Sequence, residues 1–422
     1  MAGAVLSAAV NRLPLLIPLV GHFLLSASAH AAIAAGNLTI IQNDTGNTSS
    51  GVSGSFGYSQ GQISYVSGNR GDFTLRFDGA NAAADLSDGI MIVSIAENGR
   101  SNEGPASGTT TADIGPGPGY ATASIQPAGG GYGSAIFVGA TGVSGVSAGA
   151  EWNVNQAVGY FKYSEFIGGW INNAGNNLAM SALTSSSAGL TLASGTENTT
   201  GAHIFDKTFN ADTTASNGIY NVNLTGLTAP GSGLAATSQN GIMLVVGGKN
   251  EANHALSRAN EDGTFDVFTR SSDTGSSEND PAAFVYIPTG QEGVAAMGRV
   301  DGEGNVTAGS GIGVVTKGGT GIWLISTTGY DPTNSVLLIS PEGGTSLNSD
   351  NIYSYQYDET TKQWIVQGRD IPSATTSNPG LQNVPGEPAF SFALISNQSI
   401  PEPTTVSLGL IGLTALILRR KK

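Results

Sequence analysis

The side chains that most often perform nucleophilic or metal chemistry are scarce in this sequence. It contains no cysteine and four histidines, His22, His30, His203 and His254. Without cysteine, the chain has no disulfide, no thiolate metal ligand and no cysteine nucleophile. His203 and His254 could share a metal ion only with a carboxylate beside them, and their spacing does not indicate one. We therefore expect both histidines to lie at the surface.

A serine nucleophile is suggested by one pattern only. Gly145, Ser147 and Gly149 match the G-x-S-x-G elbow, which requires a strand before the serine and a helix after it. Here the pattern lies in a glycine-rich stretch that is typical of a loop. In a chain with 61 glycines such a match is expected by chance. We assign no catalytic residue and predict that the protein is not an enzyme.

A structural calcium ion is the one cofactor that the sequence suggests. Asp301, Glu303 and Asn305 place oxygen ligands at alternate positions, as calcium loops do. The bidentate glutamate expected seven residues beyond Asn305 is missing, because Ile312 stands there. Ordinary turn chemistry, in which Asp and Asn side chains bond to the nearby backbone, explains the same residues. Both interpretations stay open at this point, and turn chemistry is favoured.

Aromatic faces stack on sugar rings, so the four tryptophans could form a carbohydrate platform. Trp170 and Trp323 lie in strand-like stretches, where packing in the core is expected. Trp152 and Trp364 are less constrained and are the better candidates for contact with a sugar.

The C-terminus carries the most specific pattern in the chain. The motif there is Pro401, Glu402 and Pro403. Its two prolines disfavour a helix and hold Glu402 in an extended conformation, as a processing enzyme requires of its substrate. The 13 apolar or small residues 406–418 follow, about 20 Å of helix against a hydrocarbon core of about 30 Å. A basic stop then ends the chain: Arg419, Arg420, Lys421 and Lys422. These cations resist translocation, so we expect a short transmembrane helix with the bulk of the chain outside the cytoplasm.

Residues 400–422 resemble the PEP-CTERM sorting signal, in which a Pro-Glu-Pro motif precedes an apolar helix and a basic tail. The resemblance implies a bacterial protein that is exported and then handled by an exosortase, a membrane enzyme. It also implies a place at the cell surface or in a biofilm matrix, near exopolysaccharide. It implies nothing about the fold or activity of residues 32–399.

Residues 1–31 have the features of a secretory signal peptide. Arg12 precedes a 13-residue apolar run at 13–25, and Ala29 and Ala31 form a small-x-small cleavage site. The run contains two prolines and is shorter than the roughly 20 residues that span a bilayer. We predict cleavage and a mature chain that begins near Ala32.

Between these ends the sequence indicates an all-β protein. Residues 73–77 alternate apolar and polar side chains, and residues 90–95 form a nearly continuous apolar run, as buried strands do. Clusters of Gly, Asn, Asp, Ser and Thr separate such runs. Only residues 250–260 suggest a short helix, and weakly.

A repeat organises these strands. Similar apolar blocks begin at Gly89, Gly241 and Gly321, each followed later by a strand with paired aromatic residues. We predict three antiparallel β-sandwich-like units at 32–167, 168–297 and 298–399, although chance similarity in a glycine-rich chain is an alternative. The predicted core residues are Ile90, Met91, Ile92, Ile242, Leu244, Ile322 and Leu324.

The charge balance limits the partners. Between residues 32 and 400, 30 acidic side chains face 12 basic ones, a surface that repels nucleic acids and anionic lipids. We expect a non-enzymatic surface or matrix protein. The alternative is a protein that binds or cleaves exopolysaccharide, which for cleavage needs two carboxyl groups at a defined separation that the sequence does not show.

Overall fold

All residues that the computed structural model describes belong to the unit Ala32–Lys422. They are residues 33–40, 52–53, 63–69, 72–77, 89–96, 119–126, 131–138, 150–151, 155–162, 165–174, 177–180, 183–186, 189–192, 219–224, 226–229, 232–248, 253–271, 282–311, 313–343, 351–370, 381 and 388–396. Several predictions lie outside them: the signal peptide 1–31, the sorting segment 400–422, Ser147, His203 and Trp152.

The described part of the chain is all-β and contains no helix, as predicted. The first thirteen strands are β1 (Ile33–Ile40), β2 (Val52–Ser53), β3 (Ile63–Asn69), β4 (Asp72–Phe77), β5 (Gly89–Ile95), β6 (Gly119–Gln126), β7 (Gly131–Val138), β8 (Ala150–Glu151), β9 (Gln156–Lys162), β10 (Ile167–Ala174), β11 (Asn177–Met180), β12 (Leu183–Ser186) and β13 (Gly189–Leu192). The other thirteen are β14 (Ile219–Val222), β15 (Gly241–Gly248), β16 (Asn253–Ala259), β17 (Phe265–Ser271), β18 (Ala282–Pro288), β19 (Val294–Asp301), β20 (Val306–Ser310), β21 (Val314–Gly319), β22 (Ile322–Ser326), β23 (Ser335–Pro341), β24 (Asn351–Asp358), β25 (Gln363–Asp370) and β26 (Pro388–Ser396).

Within the described residues the strands form five sheets. An eight-stranded sheet has the order β2-β1-β9-β5-β24-β25-β22-β21, and a nine-stranded sheet has the order β11-β10-β18-β15-β6-β7-β4-β3, with β8 beside β7. Smaller sheets are β12-β13, β14-β17-β16 and β20-β19-β26-β23. Pairing is antiparallel except where β15 meets β6 and where β24 meets β5.

The apolar runs of the sequence form the buried strands. Every residue of β15 and β18 is buried, and the two strands pair along their length. A strand with neighbours on both edges and layers on both faces has no solvated side, which explains the continuous apolar pattern. The predictions of burial are confirmed for five residues: Ile90, Met91, Ile92, Ile242 and Leu244.

The predicted burial of Ile322 and Leu324 is wrong. Their strand, β22, is confirmed, but both side chains are only half-buried, whereas Trp323 is fully buried. β22 lies one strand from the end of its sheet, where one face is partly solvated and burial alternates. Trp323, the large aromatic residue, occupies an inward position of that alternation.

The suggested helix at 250–260 is also wrong, because residues 253–259 form β16 and pair with β17. The turn between them explains the hairpin. Gly263 has a φ of +95°, which favours glycine, and Asp262 Oδ1 accepts hydrogen bonds from the Thr264 backbone N–H at 2.9 Å and hydroxyl at 2.7 Å. Local turn chemistry therefore selects the strand pair over a helix.

Two buried serine hydroxyls link β23 to strands of the other sheets. Ser94 of β5 accepts from the Ile339 N–H and donates to the Ile339 carbonyl, both at 2.8 Å. Ser340 does the same for Val245 of β15, at 2.9 and 3.2 Å. Side-chain hydroxyls thus satisfy backbone groups where three sheets meet, a position in which unpaired polar groups are costly.

The sheets combine strands from the predicted repeat units. In the eight-stranded sheet, β1, β2, β5 and β9 come from the range 32–167, and β21, β22, β24 and β25 come from 298–399. The parallel pairing of Ile95 in β5 with Ser354 in β24 joins the two groups. The three-unit division stays a prediction that rests on the sequence repeat.

Replacement of Ile242 by alanine should lower the free energy of unfolding by about 2–5 kcal/mol, because a fully buried side chain leaves a cavity. Ile322 occupies the matching position of the repeat but is half-buried, so Ile322→Ala is the control and should cost about 1 kcal/mol. Urea denaturation measures both. Equal losses would contradict the difference in burial.

Candidate functional site

The sequence-predicted sorting residues cannot be placed in the described structure. Pro401, Glu402 and Pro403 and the basic stop at 419–422 lie outside the described residues, as does the predicted span 406–418. Among the described residues, no helix is long and apolar enough to cross a bilayer. The described structure therefore bears only on the candidate sites between residues 33 and 396.

The candidate calcium loop is the hairpin turn between β19 and β20. Asp301 Oδ1 accepts hydrogen bonds from the backbone N–H groups of Glu303 at 2.9 Å and Asn305 at 2.8 Å. Its other carboxylate oxygen, Oδ2, accepts from the Asn305 side-chain amide at 2.8 Å. The turn's own donors therefore use both oxygens of Asp301, as turn chemistry requires.

A lysine ammonium also occupies the surroundings of this turn. Lys317 Nζ donates to the Gly302 carbonyl at 2.5 Å and lies 3.8 Å from the centre of the Trp323 ring. Partial burial lowers the pKa of Lys317, and the nearby carboxylates of Glu303 and Asp301 oppose that shift. A calcium ion here would face a cation, so the arrangement favours the turn interpretation.

The same turn is attached to the core through Trp323. The indole Nε1–H donates to the Asp301 carbonyl at 3.0 Å, and the ring packs edge-on against Tyr353 and Phe390. Sequence reasoning placed Trp323 in the core correctly but missed its polar contact. The group formed by Asp301, Lys317 and Trp323 joins the β19–β20 hairpin to β21 and β22, which is a structural role.

Trp364, a candidate for the predicted sugar platform, is buried. This side chain is 1% exposed, and its indole N–H donates to the Thr327 hydroxyl at 3.1 Å. Tyr355 and Tyr357 pack against it with ring centres 5.7 and 4.9 Å away. The prediction that Trp364 is available to a ligand is wrong, because β24 and β25 pair here and turn their aromatic side chains toward one another.

The expected surface position of His254 is wrong as well. The side chain lies on β16, is 3% exposed, and donates a hydrogen bond to the backbone carbonyl of Asn351. Burial, together with the nearby Arg270 guanidinium, lowers the pKa of His254 to about 3. The imidazole is therefore neutral at physiological pH. Its sequence context, alternating polar and apolar residues, did not distinguish a buried histidine from an exposed one.

The sequence did not reveal an ion pair between the half-buried Arg299 of β19 and the fully buried Glu342. Arg299 Nε lies 3.0 Å from Glu342 Oε1, and the Ser391 hydroxyl donates to the same carboxylate at 2.9 Å. Arg299 also donates to the Ser238 carbonyl at 3.3 Å. Burial raises the pKa of Glu342, and attraction to Arg299 opposes the shift. The residues are 43 positions apart, and no motif connects them.

These groups do not form a catalytic constellation. His254 and Glu342, whose pKa values are shifted, are buried and held by structural partners. A catalytic acid or base must instead reach a substrate. Among the described residues, no group of three or more His, Asp or Glu side chains is arranged to hold a metal ion. Neither a family model, a curated protein nor a solved structure matches the chain.

Proposed function

We propose that the protein is an exported bacterial surface or extracellular-matrix protein, non-enzymatic, and sorted by its C-terminal segment. The observation that carries the proposal is the order of three features at 400–422: the Pro-Glu-Pro motif, the apolar stretch and the basic stop. Each feature has a physical role in holding the chain at a membrane for processing. The resemblance to PEP-CTERM signals supports an exosortase as the processing partner.

The two ends act in sequence. Residues 1–31 direct export and are removed, and residues 406–418 then arrest the chain in the inner membrane. The basic stop stays in the cytoplasm, which leaves Glu402 just outside the bilayer. The apolar stretch is short and contains Ser407, Gly409, Gly412 and Thr414, so it serves as a transient stop rather than a lasting anchor.

The ectodomain supplies a stable, acidic surface. We propose that its strands derive from three β-sandwich-like repeats, whose members now pair across the chain. The aromatic residues Trp323 and Trp364 and the buried charges support the fold, which favours a structural protein over an enzyme. The proposed environment is a matrix with exopolysaccharide. A carbohydrate-binding role is the weaker alternative, because the described structure buries one of its two candidate tryptophans.

The proposal predicts different failures for two sets of tail variants in a host with the processing enzyme. Replacement of Pro401, Glu402 and Pro403 by alanine should leave the chain inserted and uncut in the inner membrane. Replacement of the four cations 419–422 by glutamine should let the tail cross the bilayer or insert in the wrong orientation. Fractionation and immunoblotting measure chain size and compartment.

A chain that ends at Asn397 is the matched control, since it keeps the described fold and lacks the whole segment. It should be released from the membrane at the size of a processed chain. The sorting proposal fails if both sets of tail variants match the wild type in size and location.

A further inference from the structure

His254 lies where β16 meets strands of the other sheets. Beside it is a small cavity of about 20 Å³, the space of about one water molecule, walled by Ser94 of β5, Val245 of β15, Ile339 of β23 and Tyr353 of β24. The histidine ring contributes to the wall and is shielded from solvent. A charge on this ring would therefore be formed inside the core.

The surroundings of the ring disfavour a positive charge. Arg270 is directly opposite His254 on β17, and it is buried too. Tyr353 is the ionisable residue that β24 presents, while β5, β15 and β23 line the cavity with apolar or serine side chains. β6, which also contacts β16, has no charged residue in its sequence. Glu342, which follows the cavity residue Pro341, is already paired with Arg299.

Hydrogen bonds connect β16 to neighbouring strands at this junction. The Gly343 N–H donates to the Ser257 carbonyl at 2.6 Å, and the Ser257 hydroxyl donates to the Met243 carbonyl of β15 at 3.1 Å. His254 adds its bond to the Asn351 carbonyl at the start of β24. If β16 separated from these partners, water would reach His254. The five-residue turn that joins β16 to β17 would stay unchanged.

We propose that His254 makes this junction acid-sensitive, so that protonation of its ring separates β16 from β15, residue 343 and the start of β24. In the closed state, with β16 in place, the buried His254 ring does not take up a proton. In the open state, with β16 separated, the ring binds a proton with the affinity of an ordinary histidine. Acid therefore increases the open population without any ligand. The device is independent of how the tail is sorted, and it would respond to external pH once the protein is exported.

The size of the effect follows from linkage. The pKa of the closed state lies well below the ordinary value of 6.5, so the stability contributed by neutral His254 is complete above pH 6.5 and is lost as the pH falls toward about 3. Between pH 7.5 and pH 5, the open-to-closed ratio should rise about 30-fold. Burial raises the pKa of Glu342, so its shift has the opposite sense: protonation of Glu342 stabilises the closed fold.

Amide hydrogen exchange of the full-length exported protein tests the proposal at pH 5 and pH 7.5, with intrinsic rates corrected. Exchange in residues 253–259 and at Gly343 should speed up about 30-fold at pH 5, while the central strand β26 stays unchanged. In His254→Gln this pH dependence should disappear. The matched control His203→Gln should behave as the wild type does. Equal protection at both pH values in the wild type, or an unchanged response in His254→Gln, overturns the proposal.

Two further measurements keep the test decisive if His254→Gln does not fold. Exchange of the histidine C2 hydrogens in the wild type reports each ring's pKa, and His254 should titrate far below pH 6. Arg270→Gln removes the neighbouring cation, so the same measurement should give His254 a pKa above its wild-type value. A normal titration of His254 in the wild type, or an unchanged pKa of His254 in Arg270→Gln, contradicts the mechanism.

Discussion

Replacement of Arg299 by methionine should lower the free energy of unfolding by about 3–5 kcal/mol. The change removes the partner of a carboxylate that is fully buried and leaves Glu342 with only the Ser391 hydroxyl. Methionine replaces the aliphatic stem of arginine and lacks the guanidinium, so the stem packing is kept while the charge partner of Glu342 is lost. Guanidinium denaturation at pH 7.5 measures the effect.

An exposed ion pair in the same protein provides the control. Lys362 Nζ and Glu359 Oε2 are 2.8 Å apart, about as close as the buried pair, but their side chains are 65% and 70% exposed. Lys362→Met should cost far less than Arg299→Met, because water and mobile ions already solvate both groups. A loss of similar size in both variants would show that burial does not set the cost.

The double variant Arg299→Met with Glu342→Leu distinguishes two costs: that of leaving one buried charge unpaired, and that of losing the interaction between the two charges. With both charges replaced by apolar side chains, no ionised group is left buried, and much of the stability should return. Ser391 would still lose its acceptor, so the recovery should be incomplete. If the double variant is as unstable as the sum of the two single variants, the charges are not coupled.

The pH dependence of Arg299→Met has a defined sign. Burial already raises the pKa of Glu342 above its ordinary value of 4.5, and loss of Arg299 should raise it further. Below pH 4.5 the carboxyl is protonated in both folded and unfolded chains, so the penalty is absent there. As the pH rises above 4.5, the unfolded chain ionises first and the variant's deficit grows. A deficit that shrinks with rising pH would contradict this account.

The sequence predicted the strands best where one local signal was sufficient. β5 and β15 are continuous apolar runs, and a strand with no solvated face requires such a run. β22 has a similar composition but lies near a sheet end, and its inward face depends on the neighbours β21 and β25. Those neighbours are set by pairing over long distances, which a short block of sequence does not contain.

The candidate sites follow the same rule. The turn at Asp301 could be interpreted from residues four positions apart, and the structure agrees with the turn chemistry. The ion pair of Arg299 with Glu342, and the contact of His254 with Asn351, join residues that no spacing rule connects. Trp364 is the opposite case. Its residue type suggested contact with a ligand, but the pairing of its strand β25 with β24 buries it.

Replacement of Trp323 by alanine should lower the free energy of unfolding by about 3–5 kcal/mol. The ring is fully buried and packs against Tyr353 and Phe390, whose ring centres lie 5.8 and 5.5 Å away. Its loss also removes the indole donor from the Asp301 carbonyl and the aromatic face from the Lys317 ammonium. The hairpin β19–β20 should therefore loosen together with β22.

Two variants of the same strand divide this effect into its parts. Trp323→Phe keeps an aromatic ring but lacks the Nε1–H and part of the ring volume. The unpaired Asp301 carbonyl should contribute about 1–2 kcal/mol to its cost, and the total should stay below that of Trp323→Ala, which leaves the larger cavity. Leu324→Ala changes the neighbouring, half-exposed side chain and should cost about 1 kcal/mol or less, because the opposite face of β22 is partly solvated. Thermal and urea unfolding of the three variants give the order of the losses. If Leu324→Ala destabilises the protein as strongly as Trp323→Ala, the inward face of β22 is the one that carries Ile322 and Leu324.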